Sequence, residues 1–337
     1  MNETRQAELG VDLCGALLVD KPAGPTSHDI VAVVRRALET QRIGHTGTLD
    51  PLATGLLVLL LGPATRLAQF VAADEKEYIA DIRLGLATPT FDAASLPAEG
   101  GWSAGGGPVA DLGITDIAAA LGHFRGTFMQ TPPPFSAKKI AGVAAHERAR
   151  KQQHVDLTPV EVTVRELELL ETRNAESGTP APGTPLSAPC TATLRLRIVA
   201  SAGFYVRSLA HDLGQRLGCG AHLESLRRIR AGQLCIADAM PLDAIVTDPA
   251  AAARRIVGPG DLLRHLPAAT VNARGLVRAR HGNPLTPEHL TARPIPVTSG
   301  DLVRLFDGPE LVAVGRTARD GSFHPVVVLA GAPEVKY

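Results

Sequence analysis

The sequence predicts an α/β protein of the α+β kind, in which strands and helices mix over the first two thirds and short strands dominate the last part. Residues 56–61 form the apolar run LLVLLL, which is typical of a strand buried on both faces. From about residue 265 onward, strand-like segments alternate with Gly and Pro turns, which favours a small β-barrel. Apolar side chains recur at helical spacing in an early segment, at Ile30, Val33, Val34, Ala37 and Leu38.

Local signals predict the first elements in order. Residues 16–20 predict a short strand that ends at the turn KPAGP. Thr26 or Ser27 then caps the first helix, because a hydroxyl there accepts a hydrogen bond from the first helical turn. After the buried strand, residues 65–73 are predicted to be helical, and EYIADIRLGLAT is predicted to be a strand. One side of that strand carries Tyr78, Ala80, Ile82 and Leu84.

The middle and the end of the chain add further elements. TDIAAALGHF predicts a capped helix, VEVTVRELELLETR and TATLRLRIVAS predict strands, and GFYVRSLAHDLGQRLG begins as a strand end and becomes a helix. The segment from RGTFMQ to KQQH predicts a proline-stiffened loop that leads into a basic helix, and residues 123–154 hold six Lys or Arg against one Glu. Further on, VRARHGNPL, LVRLFDG, ELVAVGRTA and FHPVVVLA predict short strands and turns.

Composition narrows the class of protein without identifying it. Lys and Arg together number 34, the same as Asp and Glu, so the net charge does not indicate a nucleic-acid partner, although local charge can. No apolar run is long enough to cross a bilayer, and the first ten residues lack the basic and apolar segments of a secretory signal. The four cysteines form no Cys-x-x-Cys pair, which predicts reduced thiols in a cytoplasmic protein without a zinc site.

The motif HTGTLDP places one carboxylate, Asp50, in a turn rich in Gly and Thr beside the apolar run. The simplest interpretation is a tight turn whose carboxylate accepts hydrogen bonds from its own backbone. Aspartyl-phosphate chemistry is rejected, since Gly44 stands where the phosphorylated Asp would be and the chain has no Gly-rich phosphate loop. A metal site is not predicted, because His45 and Asp50 have no further ligand at suitable spacing nearby.

Four segments carry a family resemblance: GALLVDKPAGPTSHDIV, RIGHTGTLDPLATGLLVLLLGPATR, KEYIADIRLGLATPTFDA and GFYVRSLAHDLGQRLGCGAHLESLRR. They resemble, in this order, the bacterial tRNA pseudouridine synthases that modify the uridine of the TΨC loop, the tRNA pseudouridine-55 synthase family. The resemblance covers about residues 15–232, with a weaker match at TPPPFSAKKIAGVAAHERAR. It implies a pseudouridine synthase fold with a mixed, largely antiparallel central sheet, followed by a small PUA-like β-barrel.

The resemblance also implies a division of the chain into domains. A catalytic domain would come first, followed by a linker and an RNA-binding domain, and the catalytic domain would contain one insertion that grips RNA. The implied bounds are 1–14 for an N-terminal extension, 15–247 for the catalytic domain, 123–154 for the insertion, 99–108 and 174–189 for flexible inserts, 248–264 for the linker and 265–337 for the PUA-like domain.

By resemblance, Asp50 is the catalytic nucleophile and attacks the target uridine at the sugar C1′ or at the uracil C6. Burial raises the pKa of a carboxyl group, whereas a nearby guanidinium keeps that group ionised. Arg207 is the implied partner. Tyr78 is implied to stack on the uracil and to assist proton removal, and a neutral phenol suits the stacking role better. Without the resemblance, Tyr78 would be interpreted as a core aromatic residue.

Three residues are implied to bind the substrate in addition to Tyr78. His45 would fill the space left by the flipped uridine, since its ring can stack on the flanking bases. Tyr205 and Leu226 match positions that contact the bound nucleotide. A plain core position suits Leu226 nearly as well.

Further residues are implied to support the loop or to contact RNA. Lys21 and Pro22 match a motif that supports the catalytic loop. Asp92 matches a family acid, but its flank PTFDAAS departs from the usual Thr-Asp-Thr pattern. Lys138 and Lys139 belong to the basic insertion and would contact tRNA phosphates, so that binding should weaken as salt rises.

The implied reaction is an isomerisation, which requires no cofactor, metal or energy source because the product has the atoms of the substrate. The implied partner is the TΨC stem-loop of tRNA, with no membrane partner and a monomeric enzyme. Two alternatives remain at this point. One is a non-catalytic chaperone that folds tRNA with the same surface, and the other is a carboxylate-dependent nucleoside hydrolase, which would usually need a second catalytic acid.

Overall fold

The computed structural model describes residues 13–95, 103–104, 109, 112–135, 139–140, 143–144, 157–174, 191–292 and 297–329. The α+β prediction is confirmed over these residues. The strands are β1 Gly15–Lys21, β2 Ile43–His45, β3 Thr54–Leu61, β4 Lys76–Leu84, β5 Leu86–Ala87, β6 Ser103–Ala104, β7 Gly126–Gln130, β8 Lys139–Ile140, β9 Val143–Ala144, β10 Val160–Asn174, β11 Ala192–Ala200, β12 Ala221–Ala231, β13 Leu234–Cys235, β14 Met240–Pro241, β15 Ala268–Val271, β16 Leu290–Ala292, β17 Leu302–Asp307, β18 Glu310–Thr317 and β19 Phe323–Val328. The α-helices are α1 Ser27–Ala37, α2 Ala68–Ala72, α3 Ile114–Gly122, α4 Val206–Arg216, α5 Leu242–Thr247, α6 Pro249–Arg254 and α7 Ala273–Arg280.

The chain forms two compact units, each built from segments that are not contiguous in sequence. One unit contains Met1–Leu49, Leu57–Ala73 and Ile236–Tyr337. The other contains Asp50–Leu56 and Asp74–Cys235. The strand β3 therefore contributes its first residues to the second of these units and the rest to the first. The second unit begins at Asp50 and holds Tyr78, Asp92, Arg207 and most of the other candidate residues.

A mixed, largely antiparallel sheet forms the body of the unit that contains Asp50. The strand β12 pairs with β4 in antiparallel fashion and with the first residues of β3 in parallel fashion, where Arg227 lies opposite Thr54. Beyond β4, the antiparallel order continues through β11, β10 and β7. The predicted mixed sheet is therefore confirmed. Its core consists of side chains with no measurable exposure, among them Ala80, Ile82, Leu194, Leu196 and Ile198.

The helix α4 packs against β12 and β4 of this sheet. Leu209 and Leu213, spaced by one turn, are fully buried, as the spacing of the leucines predicts. Gly214 permits close approach, because a Cβ atom at this position would lie 2.1 Å from the backbone nitrogen of Ala221. Any larger residue would push the helix away from β12. The start of α4, which carries Arg207, is therefore held at a defined height above the sheet.

In the other unit, the first helix has the predicted cap. Thr26 is the N-cap of α1: its hydroxyl accepts a hydrogen bond from the Asp29 backbone N–H at 3.1 Å, and the Asp29 carboxylate accepts one from the Thr26 N–H at 2.8 Å. Ser27 has a different task. Its hydroxyl donates to the Leu49 carbonyl at 3.1 Å and accepts from the Leu49 N–H at 2.9 Å. The backbone just before Asp50 is thus held by a buried serine.

The C-terminal part of this unit contains a five-stranded sheet in the order β16-β15-β17-β18-β19, which confirms the predicted β-rich end. One prediction there is wrong: VRAR belongs to the helix α7 and is not a strand. Asn272 caps that helix, and the small residues Gly275 and Ala279, one turn apart, are buried. The predicted linker contains α6, and Val257 bridges to Ala16. The implied domain bounds and the PUA-like assignment stay predictions.

The insertion at 123–154 differs from the prediction where it is described. RGTFMQ was expected to be a loop, but Gly126–Gln130 forms β7, because it completes the edge of the sheet beside β10. In the region predicted as a basic helix, β8 and β9 form a short antiparallel pair. Lys138 and most of the remaining insertion lie outside the described residues, as do the extension 1–12 and most of the inserts 99–108 and 174–189. Within the described ranges, no helix is long and apolar enough to span a membrane.

Candidate active site

Asp50 and Arg207 form a two-pronged ion pair in the unit that contains both residues. The Arg207 Nε atom lies 2.9 Å from Asp50 Oδ2, and Arg207 Nη2 donates to Asp50 Oδ1 at 3.0 Å. The side chain of Arg207 is 7% exposed, whereas that of Asp50 is 34% exposed. A buried guanidinium therefore presents a carboxylate that solvent, or a substrate, can still reach.

The remaining donors of Arg207 hold the guanidinium in place. Arg207 Nη1 donates to the Thr90 carbonyl at 3.2 Å and lies 3.5 Å from Asp92 Oδ2. Arg207 Nη2 also donates to the Phe135 carbonyl at 2.9 Å. The guanidinium is thus surrounded by oxygen atoms from three separate segments. These contacts fix the plane of the guanidinium and therefore the orientation of the Asp50 carboxylate. Only a planar group with several N–H donors can make all of them at once.

Asp92 is a buried carboxylate whose side chain is 6% exposed. Its Oδ1 atom accepts hydrogen bonds from the Thr90 hydroxyl at 2.6 Å and from the Ala94 N–H at 3.0 Å. Oδ2 faces Arg207. Asp50 and Asp92 therefore both contact the guanidinium of Arg207. Asp92 is shielded from water and is held by hydrogen bonds within its own loop. This geometry makes Asp92 an anchor for Arg207 on the side away from Asp50.

Tyr205 precedes α4 and is held through its backbone. The side-chain amide of Gln130, which is 1% exposed, accepts from the Tyr205 N–H at 2.8 Å and donates to the Tyr205 carbonyl at 3.0 Å. Ser208 donates to the Thr131 carbonyl at 2.7 Å, so the first turn of α4 is fastened to the end of β7. Burial raises the pKa of Tyr205, the charge of Asp50 adds to this, and Arg207 opposes it. The phenol is therefore neutral at neutral pH.

Tyr78 and Leu226 occupy neighbouring strands of the sheet. Tyr78 lies opposite Arg228 of β12, and Leu226 lies opposite Ala80, the residue that follows Tyr78 on the same face of β4. Directly opposed residues point to the same side of a sheet, so Tyr78 and Leu226 share a face. Tyr78 is half-buried, as a stacking platform requires, whereas Leu226 is only 7% exposed and also serves the core.

Of the other candidate residues, Lys21, Pro22 and His45 lie in the unit that contains Met1–Leu49. Lys139 belongs to the unit that contains Asp50, and Lys138 lies outside the described residues. Lys21 is fully buried at the end of β1, and its Nζ atom donates to the carbonyl of Pro22 at 2.9 Å, while Pro22 itself is exposed. His45 ends β2 opposite Leu59. Lys139 begins β8. The structure thus brings Asp50, Arg207 and Asp92 into contact, while the roles of all the candidate site residues stay predictions.

Two models of known protein families match this chain. A model described as the N-terminal domain of the TruB family of pseudouridylate synthases matches residues 35–206, about half of the chain. A second model, the C-terminal domain of tRNA pseudouridylate synthase B, matches residues 207–263. The chain belongs to the TruB family. The boundary between the two matches falls next to Arg207, so the two partners of the ion pair, Asp50 and Arg207, come from the two different family regions.

Two of the curated TruB relatives match nearly the whole chain, and a third matches most of it. The tRNA pseudouridine synthase B of Solibacter usitatus is 39% identical over 319 residues, covering 94% of this chain and 99% of that protein. The enzyme of the same name from Thermobifida fusca is 39% identical over 322 residues, with the same two coverages. That of Opitutus terrae is 43% identical over 238 residues, covering 71% of this chain and 89% of that protein.

Solved structures show the same fold. The archaeal box H/ACA sRNP Nop10-Cbf5 complex contains a chain with a TM-score of 0.67 and 25% identity, covering 96% of this chain and 88% of that one. A Cbf5-Nop10-Gar1 complex contains another at 0.67 and 24% identity, covering 95% and 86%. The pseudouridine synthase fold expected for this TruB family member is confirmed. In the part of the chain that the structure describes, no group of three or more His, Cys, Asp or Glu side chains is arranged to hold a metal ion.

Sequence reasoning missed two supports of the TruB site. Gln130 belongs to a segment that the sequence predicts to be a loop, although an amide directly before the run TPPP is a usable signal. Ser27 was considered only as a helix cap. In both cases the partner, Tyr205 or Leu49, lies far away in sequence, at a separation of 75 or 22 residues. Such pairings cannot be inferred from local patterns.

Lys76, at the start of β4, is a buried lysine whose charge should affect the stability of the fold. Burial, helped by the charge of Arg228 and opposed by that of Asp74, lowers the pKa of Lys76 to about 8. Below that pKa the fold carries a buried charge. As pH rises from about 8 toward 10.5, the folded state releases this proton before the unfolded state does, so the free energy of unfolding should rise.

Lys76→Met isolates this effect. At pH 7 we expect the variant to be more stable than the wild type by roughly 1–3 kcal/mol, since the buried charge is removed. The difference between the two proteins should shrink above pH 8. Urea unfolding of both proteins at pH 7, 8, 9 and 10 measures it, and other titrating groups cancel in the comparison. A difference that stays constant across this range would show that Lys76 keeps its ordinary pKa in the fold.

Proposed function

We propose that this TruB family member isomerises uridine to pseudouridine in the TΨC loop of tRNA, at position 55, with Asp50 as nucleophile. One observation carries the proposal: the two-pronged contact between Asp50 and the buried guanidinium of Arg207. The carboxylate is 34% exposed, so a substrate can reach it, while the arginine that holds it is 7% exposed. The curated relatives named tRNA pseudouridine synthase B support tRNA as the substrate.

The chemistry follows from an ionised Asp50 in contact with Arg207. The carboxylate attacks C1′ of the ribose or C6 of the uracil, and the N1–C1′ bond breaks. The base turns, C5 forms a bond to C1′, and the bond between Asp50 and C1′ or C6 breaks, which releases the free carboxylate. The proton on C5 is then lost and N1 gains one, so the product is an isomer of the substrate. Arg207 aims the Asp50 carboxylate, since its other donors are held by Thr90, Asp92 and Phe135.

The target base must leave its stack before Asp50 can reach it. Unstacking costs about a few kcal/mol, and contacts with the extruded base offset this cost. Tyr78 offers a half-buried ring at the edge of an apolar sheet face, which suits stacking on the uracil. Tyr205, held neutral, offers a second aromatic surface two residues from Arg207. His45 would occupy the place of the extruded uridine within the RNA loop.

Contacts with the rest of the tRNA would come from the basic insertion at 123–154 and from the β-rich C-terminal part. The insertion holds an excess of five positive charges, and these would neutralise phosphates. Lys138 and Lys139 belong to it. The C-terminal part would act as a PUA-like domain, with the arginines of α7 facing RNA. The enzyme would work as a monomer.

Incubation with an unmodified tRNA transcript, followed by mapping of pseudouridine, tests the proposal. We expect one modified position, in the TΨC loop. A transcript with cytidine at that position is the matched control and should remain unmodified. Release of free uracil would show a nucleoside hydrolase instead. Tight binding and refolding of the transcript without any pseudouridine would show an RNA chaperone.

A further inference from the structure

The loop that carries Asp92 adopts an unusual backbone conformation. Phe91 has a φ angle of 65°, in the left-handed region that bulky residues rarely adopt. Such conformations persist where the surroundings enforce them, often at functional sites. In this loop the Phe91 N–H donates to the Thr88 carbonyl at 3.1 Å, and the Phe91 carbonyl accepts from the Leu223 N–H at 2.9 Å. The backbone of Phe91 is therefore held on both sides.

The ring of Phe91 is held as well. It stacks on the imidazole of His211, with ring centroids 3.8 Å apart and an angle of 12° between the planes. His211 Nδ1 is buried, and within the described residues it has no hydrogen-bond partner. Burial lowers the pKa of His211, while the charge of Asp212 opposes this. The His211 ring is therefore neutral, and no hydrogen bond at Nδ1 to a described residue competes with stacking. Such a ring is suited to stack on Phe91.

These contacts pair two adjacent loop residues with one face of α4. Arg207 and His211 are one helical turn apart, so their side chains leave the helix on the same side. Phe91 and Asp92 are neighbours in the loop. Asp92 faces Arg207 and Phe91 faces His211. The loop is thus attached to α4 at two points, one electrostatic and one aromatic, and the electrostatic point is the anchor of the catalytic ion pair.

We propose that Phe91 and His211 are positioning residues for the isomerisation: their stack holds the loop so that Asp92 orients Arg207 toward Asp50. Neither ring needs to touch the substrate. The inference rests on the proposed function, because it concerns how well the Asp50–Arg207 pair is aligned. A guanidinium displaced by a fraction of an ångström would present the carboxylate at a wrong angle, which can cost an enzyme orders of magnitude in rate.

Single-turnover kinetics on a tRNA transcript tests this role. His211→Ala removes the stack, and Phe91→Gly removes the ring while accepting the left-handed backbone. We expect each to lower the single-turnover rate constant about tenfold or more, with tRNA affinity changed less than about twofold. His211→Phe keeps a stacking ring and should rescue most of the rate. Phe91→Gly also tests the idea if His211→Ala fails to fold, since glycine relieves backbone strain.

A double-mutant cycle with Asp92→Asn shows whether the stack acts through Asp92. If it does, His211→Ala should cost little further rate once Asp92 is altered. Full additivity in this cycle would overturn the proposal, as would unchanged rates in both single variants, or a His211→Phe variant as slow as His211→Ala. If the wild type makes pseudouridine but the variants give one of these contrary results, only the positioning role of Phe91 and His211 is overturned. A wild type that forms no pseudouridine would overturn the proposed function and this inference with it.

Discussion

Asp50→Asn should lower the rate of pseudouridine formation at least about a thousandfold, because the amide cannot serve as the attacking oxygen nucleophile. The change is isosteric, so the fold and the shape of the site should persist. Arg207 can still donate to the remaining oxygen of the side chain. The affinity for an unmodified tRNA transcript should therefore stay within about threefold of the wild type. Filter binding and single-turnover mapping of pseudouridine measure the two quantities separately.

Asp50→Glu is the matched control for this prediction. It keeps the charge but moves the carboxylate by one methylene group, which spoils the aligned contact with Arg207. We expect the rate of pseudouridine formation to fall at least about a hundredfold, since a displaced nucleophile loses most of the rate gained from alignment. A variant with Asn at position 50 that retains a tenth of the wild-type rate would show that another group is the nucleophile. Loss of tRNA binding with unchanged turnover would contradict the assignment entirely.

Arg207→Met should reduce both activity and stability. The variant loses the guanidinium that aligns the Asp50 carboxylate, so we expect a rate at least about a hundredfold lower. It also leaves Asp92, 6% exposed, without its counter-charge. Removal of one partner of a buried ion pair costs roughly 3–5 kcal/mol of unfolding free energy. Arg207→Lys should also be impaired, because an ammonium group cannot reach Asp50, Asp92 and the Phe135 carbonyl together.

The double variant Arg207→Met with Asp92→Asn separates the two losses. The asparagine removes the uncompensated charge, so a large part of the stability should return, as measured by urea unfolding. Activity should remain low, because Asp50 still lacks its guanidinium. If activity returned together with stability, Arg207 would be a structural residue only. If stability did not return, the cost would come from lost packing rather than from the buried charge of Asp92.

Several elements could be predicted because their signals are local. The alternation of Tyr78, Ala80, Ile82 and Leu84 identified β4 and its buried face, and the last three side chains are fully buried. Sustained apolar runs and the leucine spacing identified β3 and α4 in the same way. Local patterns failed for β7, which depends on pairing with β10, and for the end of α7, whose short alternation resembles a strand. Strand and helix cannot be separated by spacing alone in such short segments.

By itself, the sequence determined the order of most elements, the family and the choice of Asp50, because periodicity and the motif HTGTLDP are properties of neighbouring residues. Only the tertiary structure decided what surrounds that carboxylate. Arg207 lies 157 residues from Asp50, and its contacts with Thr90, Asp92 and the Phe135 carbonyl arise because α4 rests on β12 and two loops converge on the start of that helix. Hydrogen bonds and charge pairs act over a few ångströms, so they depend on folded distance rather than on separation along the chain.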